Sequence, residues 1–292
     1  YDKKGDKLFQ EIMAMPEYYL TRAEMEIFTT KSKEIVNSFE KQIDEPFELI
    51  ELGAGDGTKT IKILQQLLKE GYQVNYIPID ISQHALNGLK AMLNQNLPEL
   101  KVSPMQGTYF DVLKTLKTKN IPKVILFLGS NLGNLLDNEA RKFLSALSES
   151  INKGDKVLLG LDTLKSKEIV LPAYNDKQGI TRAFNLNLLD RINRELGADF
   201  DRQQFEHKPF YDEKEGIAKS YIQSKIDQNV KIQSLNKVFS FKKGENIHTE
   251  VSRKYTKTIL EDILQSSQLN IETIHQDQKK YFMDVILGMN SK

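Results

Sequence analysis

Apolar positions along the chain fall into two rhythms. Between residues 47 and 162, short and nearly continuous apolar runs alternate with stretches whose apolar residues recur at helical spacing. The runs at 47–52, VNYIPIDIS ending at Asp80, 101–106, KVILFLG ending at Gly129, and KVLLGLD at 156–162 predict strands. Residues 59–70, Ser82 to Asn96, 110–118 and Asn138 to Ser150 predict the helices between them. Strands apolar on both faces and separated by helices belong to a buried parallel sheet.

On either side the pattern changes. Residues 6–15 and 21–40 carry apolar positions at helical spacing, Pro16 breaks the first run, and PEYYLTR between them reads as an ordered loop. Beyond Asp162, residues 178–196 predict a long helix, and 217–241 alternate with period two, as antiparallel strands do. A helix at 256–267 and strands at 269–275 and 280–288 close the chain. The expected architecture is α/β, a doubly wound sheet with a C-terminal antiparallel hairpin and a smaller α+β lobe. The sheet domain is expected from 23–164 and 255–292, and the lobe from 1–22 and 165–254.

The stretch FELIELGAGDGTKT (47–60) runs an apolar strand into Gly53, Gly55 and Gly57 and then into a helix. Glycines there let the backbone turn sharply and approach a ligand, and the helix start offers unpaired N–H groups. Such a turn serves dinucleotide, phosphate and other nucleoside ligands alike, or is only a tight connection. Asp56 inside this turn would repel a pyrophosphate and suits a cationic ligand such as a sulfonium. Asp80 ends the second strand, 27 residues after Gly53, where a carboxylate accepts bonds from ribose hydroxyls. A capping role for Asp80 is the alternative, but Ser82 is better placed to cap. After strand four, Gly129, Gly133 and Asn134 occupy the position where a substrate meets a nucleoside ligand in an open sheet, although a turn-forming Asn is the plain alternative.

Composition narrows the classes. The 292 residues suffice for one large domain or two modest ones, and 41 Lys plus Arg against 40 Asp plus Glu give no basic face for nucleic acid or a membrane surface. The absence of cysteine excludes disulfides, thiolate metal sites and Cys nucleophiles, and the 4 histidines lack metal-ligand spacing. No metal is expected. No run approaches the ~18 apolar residues of a membrane span and no signal peptide opens the chain, so a cytoplasmic protein is expected.

At this point the motifs become specific. YDKKGDKLFQEI (1–12), MPEYYLTRAE (15–24), ELGAGDGTKT (51–60), FLGSNLGNL (127–135), LLGLD (158–162), AYNDKQGITRAFNLNLLDRINRELGADFD (173–201) and FKKGENIHTEVSRKY (241–255) follow one another along nearly the whole chain. In these the chain resembles the histidine-specific S-adenosylmethionine (SAM)-dependent methyltransferases, which make trimethylhistidine in ergothioneine biosynthesis. The resemblance implies a Rossmann-like class I methyltransferase sheet, SAM as cosubstrate, and an amino acid as the small-molecule partner of a monomeric enzyme. It implies that Tyr1, Gly53, Lys59 and Asp80 contact SAM, and that Tyr18, Gly129, Asn134, Tyr174, Thr181, Glu250 and Ser252 form the amino-acid pocket. Asn134 and Tyr174 are expected to hold and orient the α-amino and α-carboxylate ends. Glu250 and Ser252, two apart, face the same way if their segment is extended, and are expected to read the imidazole.

Two positions depart from the family pattern. Thr108-Tyr109 stand where Asp-Phe is usual beside the adenine, leaving Tyr109 to sandwich the ring and Asp111 as a substitute acceptor. Ser220 stands where an apolar residue usually lines the imidazole. The expected activity is therefore N-methylation of histidine, up to the trimethylated product. The alternatives are another amino acid or histidine-derived amine as acceptor, or a non-catalytic SAM-binding protein.

Overall fold

The computed structural model describes residues 2–41, 44–118 and 121–289. Helices α1 (Lys3–Ala14), α2 (Tyr19–Thr30) and α3 (Ser32–Asn37) lead into β1 (Phe47–Leu52) and α4 (Ile61–Lys69). Next come β2 (Val74–Asp80), α5 (Gln83–Asn96), β3 (Lys101–Val102), β4 (Met105–Gln106), α6 (Tyr109–Lys117), β5 (Lys123–Phe127), α7 (Asp137–Glu149) and β6 (Lys156–Asp162). Then α8 (Lys167–Tyr174), α9 (Ile180–Leu196), β7 (Phe205–Asp212), β8 (Ile217–Ser224), β9 (Gln228–Ile232), β10 (Lys237–Phe241) and β11 (Asn246–Arg253) follow. The chain closes with α10 (Lys257–Leu264), β12 (Leu269–Gln276) and β13 (Phe282–Met289).

The chain divides into two compact units, one of Arg22–Thr163 with Tyr255 onward, the other of the segment up to Thr21 with Leu164–Lys254. In the larger unit the sheet order is β12-β13-β6-β5-β1-β2-β3, with β4 also on β2. β1, β2, β5 and β6 are parallel, while β13 runs antiparallel to β6 and β12 to β13. The chain proceeds outward from β1 through β2 and then resumes at β5 on the other side of β1. That reversal opens a crevice at the carboxyl ends of β1 and β5. Every residue of β1, β5 and β6 is buried, as expected for strands covered on both faces.

The smaller unit packs α1 against α9 and builds a three-stranded antiparallel sheet, β11-β8-β7, beside a β9-β10 hairpin. Its core comprises Leu186, Leu189, Phe200, Phe205, Ile222, Val230 and Ile232. β8 buries every second residue, which is the period-two signal of its sequence.

Several expectations are corrected. PEYYLTR is helical from Tyr19 onward rather than a loop, and the run 21–40 is two helices. The Thr29 and Thr30 hydroxyls bond back to the Met25 and Glu26 carbonyls at 2.7 and 2.8 Å, and α2 stops there. α8 was not expected because Pro172 lies inside it; the helix ends two residues further on. β7 carries Pro209 on an edge strand, where a missing N–H need cost no ladder bond. Among the described residues, no helix is long and apolar enough to cross a membrane.

Candidate functional site

In the larger unit β1 delivers the chain into the glycine turn, where Gly53, Gly55 and Gly57 have φ of +74°, +56° and +70°. A Cβ on Gly53 would lie 2.7 Å from the Tyr109 hydroxyl, and one on Gly57 would lie 2.3 Å from Leu89. Both hold a backbone conformation that other residues rarely adopt, and a side chain there would also have to displace Tyr109 or Leu89. Asp56 folds back into the turn, its Oδ1 accepting from the Thr58 N–H at 3.0 Å.

Asp80, half-buried at the end of β2, accepts from the Ser82 N–H at 2.8 Å, and it is Ser82 that caps α5 by accepting from Ala85 N–H at 3.2 Å. The Tyr109 phenol is raised above its ordinary value by burial first and by the Asp80 charge second. Its ring meets Phe127 edge-on with centroids 6.0 Å apart. Thr108 donates to Asp111 at 2.5 Å, so the proposed substitute acceptor already holds a hydroxyl of its own loop. Gly53, Asp80, Thr108 and Tyr109 thus gather at the carboxyl ends of β1 and β2 and the start of α6. Tyr1 lies outside the described residues.

Beneath the turn lies a polar cluster that sequence reasoning missed. The Lys59 Nζ pairs with Glu24, which is fully buried on α2. The other Glu24 oxygen accepts from the Gly129 N–H at 2.8 Å. Gly129 has φ of +68°, and a Cβ there would lie 3.4 Å from the Lys59 Nζ. Gly160, inside β6, makes room for this carboxylate, because a Cβ on it would lie 2.3 Å from Glu24 Oε1. Burial opposes the Lys59 charge, but Glu24, with Asp284 and Glu51, holds the ammonium above the ordinary lysine value.

Glu51 accepts from Thr60 Oγ1 at 2.8 Å and from the Tyr76 hydroxyl at 2.5 Å. Burial nonetheless pushes its carboxyl up to about 7. Asp284 on β13 is fully buried, neither oxygen has a hydrogen-bond partner among the described residues, and its carboxyl is raised well above the usual range by burial and then by Glu24. The available signal was a charge inside an apolar strand, in FELIEL and FMDVILG. Asn134 ends the 3₁₀ turn Asn131–Asn134 and is exposed. Ser130 anchors that turn, having φ of +58° and accepting from Asp162 N–H at 3.0 Å.

In the smaller unit Tyr174 ends α8, buried, with its carbonyl 2.9 Å from His207 Nε2 and its hydroxyl accepting from Lys254 Nζ at 2.7 Å. The same Nζ donates to Ser252 Oγ at 2.7 Å. Lys254 is fully buried and was also missed. Glu250 and Ser252 pair with Ser220 and Ala218 of β8 and so share one face of β11. The register shifts between His248 and Glu250, and the intervening Thr249 hydroxyl lies 2.6 Å from Asn185 Oδ1 and 3.0 Å from the Ser220 carbonyl, either of which accepts its one hydrogen. That bulge sets which face Glu250 and Ser252 take.

Glu250 is raised above the usual carboxylate range by burial, against the pull of Lys254 and Ser220; the Ser220 hydroxyl donates to it at 3.3 Å. Thr181 is buried at the start of α9, its N–H donating at 2.8 Å to Asp176 Oδ1. Tyr18 is half-buried just before α2. The smaller unit therefore brings together Tyr174, Ser252 and Glu250 around Lys254.

The family model described as "histidine-specific methyltransferase, SAM-dependent" matches residues 1–289. Among curated proteins, the chain is 33% identical over 255 residues to a histidine N-alpha-methyltransferase of Mycolicibacterium smegmatis, covering 87% of this chain and 78% of that protein. It is 33% identical over 237 residues to an ergothioneine biosynthesis protein 1 of Schizosaccharomyces pombe, covering 79% of this chain but 30% of that longer protein. Among solved structures, the PH0226 protein of Pyrococcus horikoshii superposes with a TM-score of 0.51 over 99% of this chain and all of that one, at 14% identity.

Proposed function

We propose that this chain, which belongs to the histidine-specific, SAM-dependent methyltransferase family, transfers methyl groups from SAM to the α-amino nitrogen of L-histidine. The observation that carries the reading is the shared face of Glu250 and Ser252 on β11, with Tyr174 tied to Ser252 through Lys254. A carboxylate and a hydroxyl side by side suit an imidazole, which has an N–H on one nitrogen and a lone pair on the other.

In the larger unit, Asp80 takes the ribose hydroxyls, Gly53 admits the backbone to close approach, and Tyr109 covers the adenine. Lys59 acts through Glu24 and Gly129, where the ion pair and the Gly129 N–H bond fix the loop after β5. In the smaller unit Tyr174 holds the carboxylate of the amino acid, and Tyr18 and Thr181 contribute to the pocket there.

The reaction is an in-line displacement. The amine lone pair forms the new N–C bond as the S–C bond breaks, and the sulfonium leaves as the neutral thioether of S-adenosylhomocysteine. The leaving group supplies the driving force, so the protein contributes mainly alignment and desolvation. An α-amine near pKa 8 or above is mostly protonated at pH 7, and its proton must leave before attack. Asn134, with a carbonyl that accepts an N–H, orients the amine and leaves its lone pair free to point at the methyl carbon. Repetition to the trimethylated product is part of the same reading. The same reading has the enzyme act as a cytoplasmic monomer, which light scattering on the purified chain tests in its oligomeric part.

A second acceptor is favoured by one observation. Ser220 lies directly across from Glu250 and donates to it, giving that wall a hydroxyl and occupying one carboxylate oxygen. A different amino acid or a histidine-derived amine would meet that wall equally well. Incubating the protein with SAM and each of the twenty amino acids, and reading mass gains of one, two or three methyls, separates the two. Methyl gain on histidine supports the first reading; gain only on another acid overturns it.

A further inference from the structure

Lys254 is fully buried, and its Nζ lies 2.7 Å from both the Tyr174 hydroxyl and Ser252 Oγ. It also sits 4.9 Å from the Tyr174 ring centroid. Its backbone is fixed as well, the Lys254 N–H donating to the Gly216 carbonyl at 2.7 Å. Gly216 has φ of +68°, and a Cβ on it would stand 3.3 Å from the Lys254 carbonyl oxygen, so this approach requires a glycine. A buried lysine so closely tied to two hydroxyls is costly to place there unless its bonds do something specific.

An ammonium has three donors and no acceptor. Both hydroxyl oxygens must therefore accept from it. A serine hydroxyl that accepts from Lys254 turns its own hydrogen away from the ammonium, since the two hydrogens repel. Ser252 is thereby set as a donor. Glu250, two residues earlier on the same face, accepts when ionised. The pair then presents one donor and one acceptor. A neutral imidazole offers one lone pair and one N–H, whereas an indole, an ammonium or a guanidinium offers donors alone.

We infer that Lys254 is a positioning residue of the acceptor pocket, holding Tyr174 and Ser252 from within the fold and setting Ser252 as the donor beside Glu250. This rests on the histidine reading above and adds to it a reason for choosing the neutral imidazole. Lys254 reaches the substrate only through the Ser252 and Tyr174 hydroxyls, so its loss falls mainly on histidine affinity.

The test is a mutant cycle on the full chain. Histidine KM and kcat, and SAM Kd by calorimetry, are measured for the native protein, Lys254→Met, Ser252→Ala and the double variant. Lys254→Met is expected to raise histidine KM roughly tenfold, about 1.4 kcal/mol as one lost charge-assisted bond. Its kcat should stay within about threefold and its SAM Kd unchanged, a split that general loosening would not produce. The double variant should fall short of the product of the single effects, because the Ser252 hydroxyl is common to both. Lys254→Arg, which keeps charge and donors, should return KM most of the way.

A multiplicative double effect, or an unchanged histidine KM in a Lys254→Met protein that still binds SAM, overturns the inference. If Lys254→Met fails to bind SAM, Lys254→Gln takes its place in the same cycle. A native protein that does not turn over histidine overturns the functional reading and this inference together. Normal histidine turnover with a multiplicative cycle overturns this inference alone.

Discussion

The two units hold buried charge in opposite ways. The larger one gathers Glu24, Glu51 and Asp284 around Lys59, under strands that are buried along their whole length. The smaller one sets buried Lys254 near the Glu250 carboxylate and against two hydroxyls, beside an antiparallel sheet. In the first, acidic groups outnumber the base, and burial raises the Glu51 and Asp284 carboxyls. In the second, charges balance and hydrogen-bond polarity is what the arrangement controls. A cluster that fixes backbone, as Glu24 does with Gly129, shapes a loop. A cluster that fixes hydroxyls selects among ligands by donor and acceptor pattern.

The sharpest way to break this contrast is Glu24→Ala. It removes the buried ion-pair partner of half-buried Lys59 and the acceptor of Gly129 at once. Unfolding in urea should show a loss of about 3–5 kcal/mol; a loss under about 1 kcal/mol would mean the cluster does not hold the sheet together.

Next is the pH dependence of Glu51. Its carboxyl is near 7 in the folded protein against an ordinary 4.5, so between those values the folded state binds more protons than the unfolded one. Stability from this group is fully present below about pH 4.5 and is lost as pH rises through 7, by about 3 kcal/mol in all. Asp284 is raised too and acts with the same sign. Glu51→Gln should flatten that decline in urea midpoints between pH 5 and 8, and an unaltered slope would remove Glu51 as its source.

Asp80→Ala tests the ligand side of the larger unit. Losing an acceptor for ribose hydroxyls should weaken SAM binding by roughly 100-fold, near 2.7 kcal/mol. Calorimetry at matched pH reads it, with histidine KM as the control that should change least. The smallest effect belongs to the smaller unit. Glu250→Ala should raise histidine KM tenfold or somewhat more, about 1.4 kcal/mol, and leave SAM Kd alone. An unchanged histidine KM would take Glu250 out of the imidazole reading.

The contrast also explains what could be seen in the sequence. β1, β5 and β6 were legible because a parallel strand is apolar throughout, and β8 because a half-buried strand alternates. β7 and β11 were not, since edge strands carry Pro209 or charged residues where solvent reaches. The glycine turn and Asp80 declared themselves by position. Glu24, Glu51 and Asp284 did not, because an isolated acidic residue reads as solvated until its neighbours are known. Lys254 was hidden in the same way, as one of two basic residues in SRKY. Only the fold shows that its Nζ turns inward.

Gly160 carries a consequence of its own. It is a glycine in the middle of a fully buried strand, a place where propensity would favour valine or isoleucine. The volume its side chain would fill is taken by the carboxylate of Glu24, from an element more than a hundred residues earlier in the chain. Any side chain at 160 therefore has to displace the Glu24 carboxylate, so a library that randomises β6 while α2 keeps its glutamate is expected to favour glycine at 160.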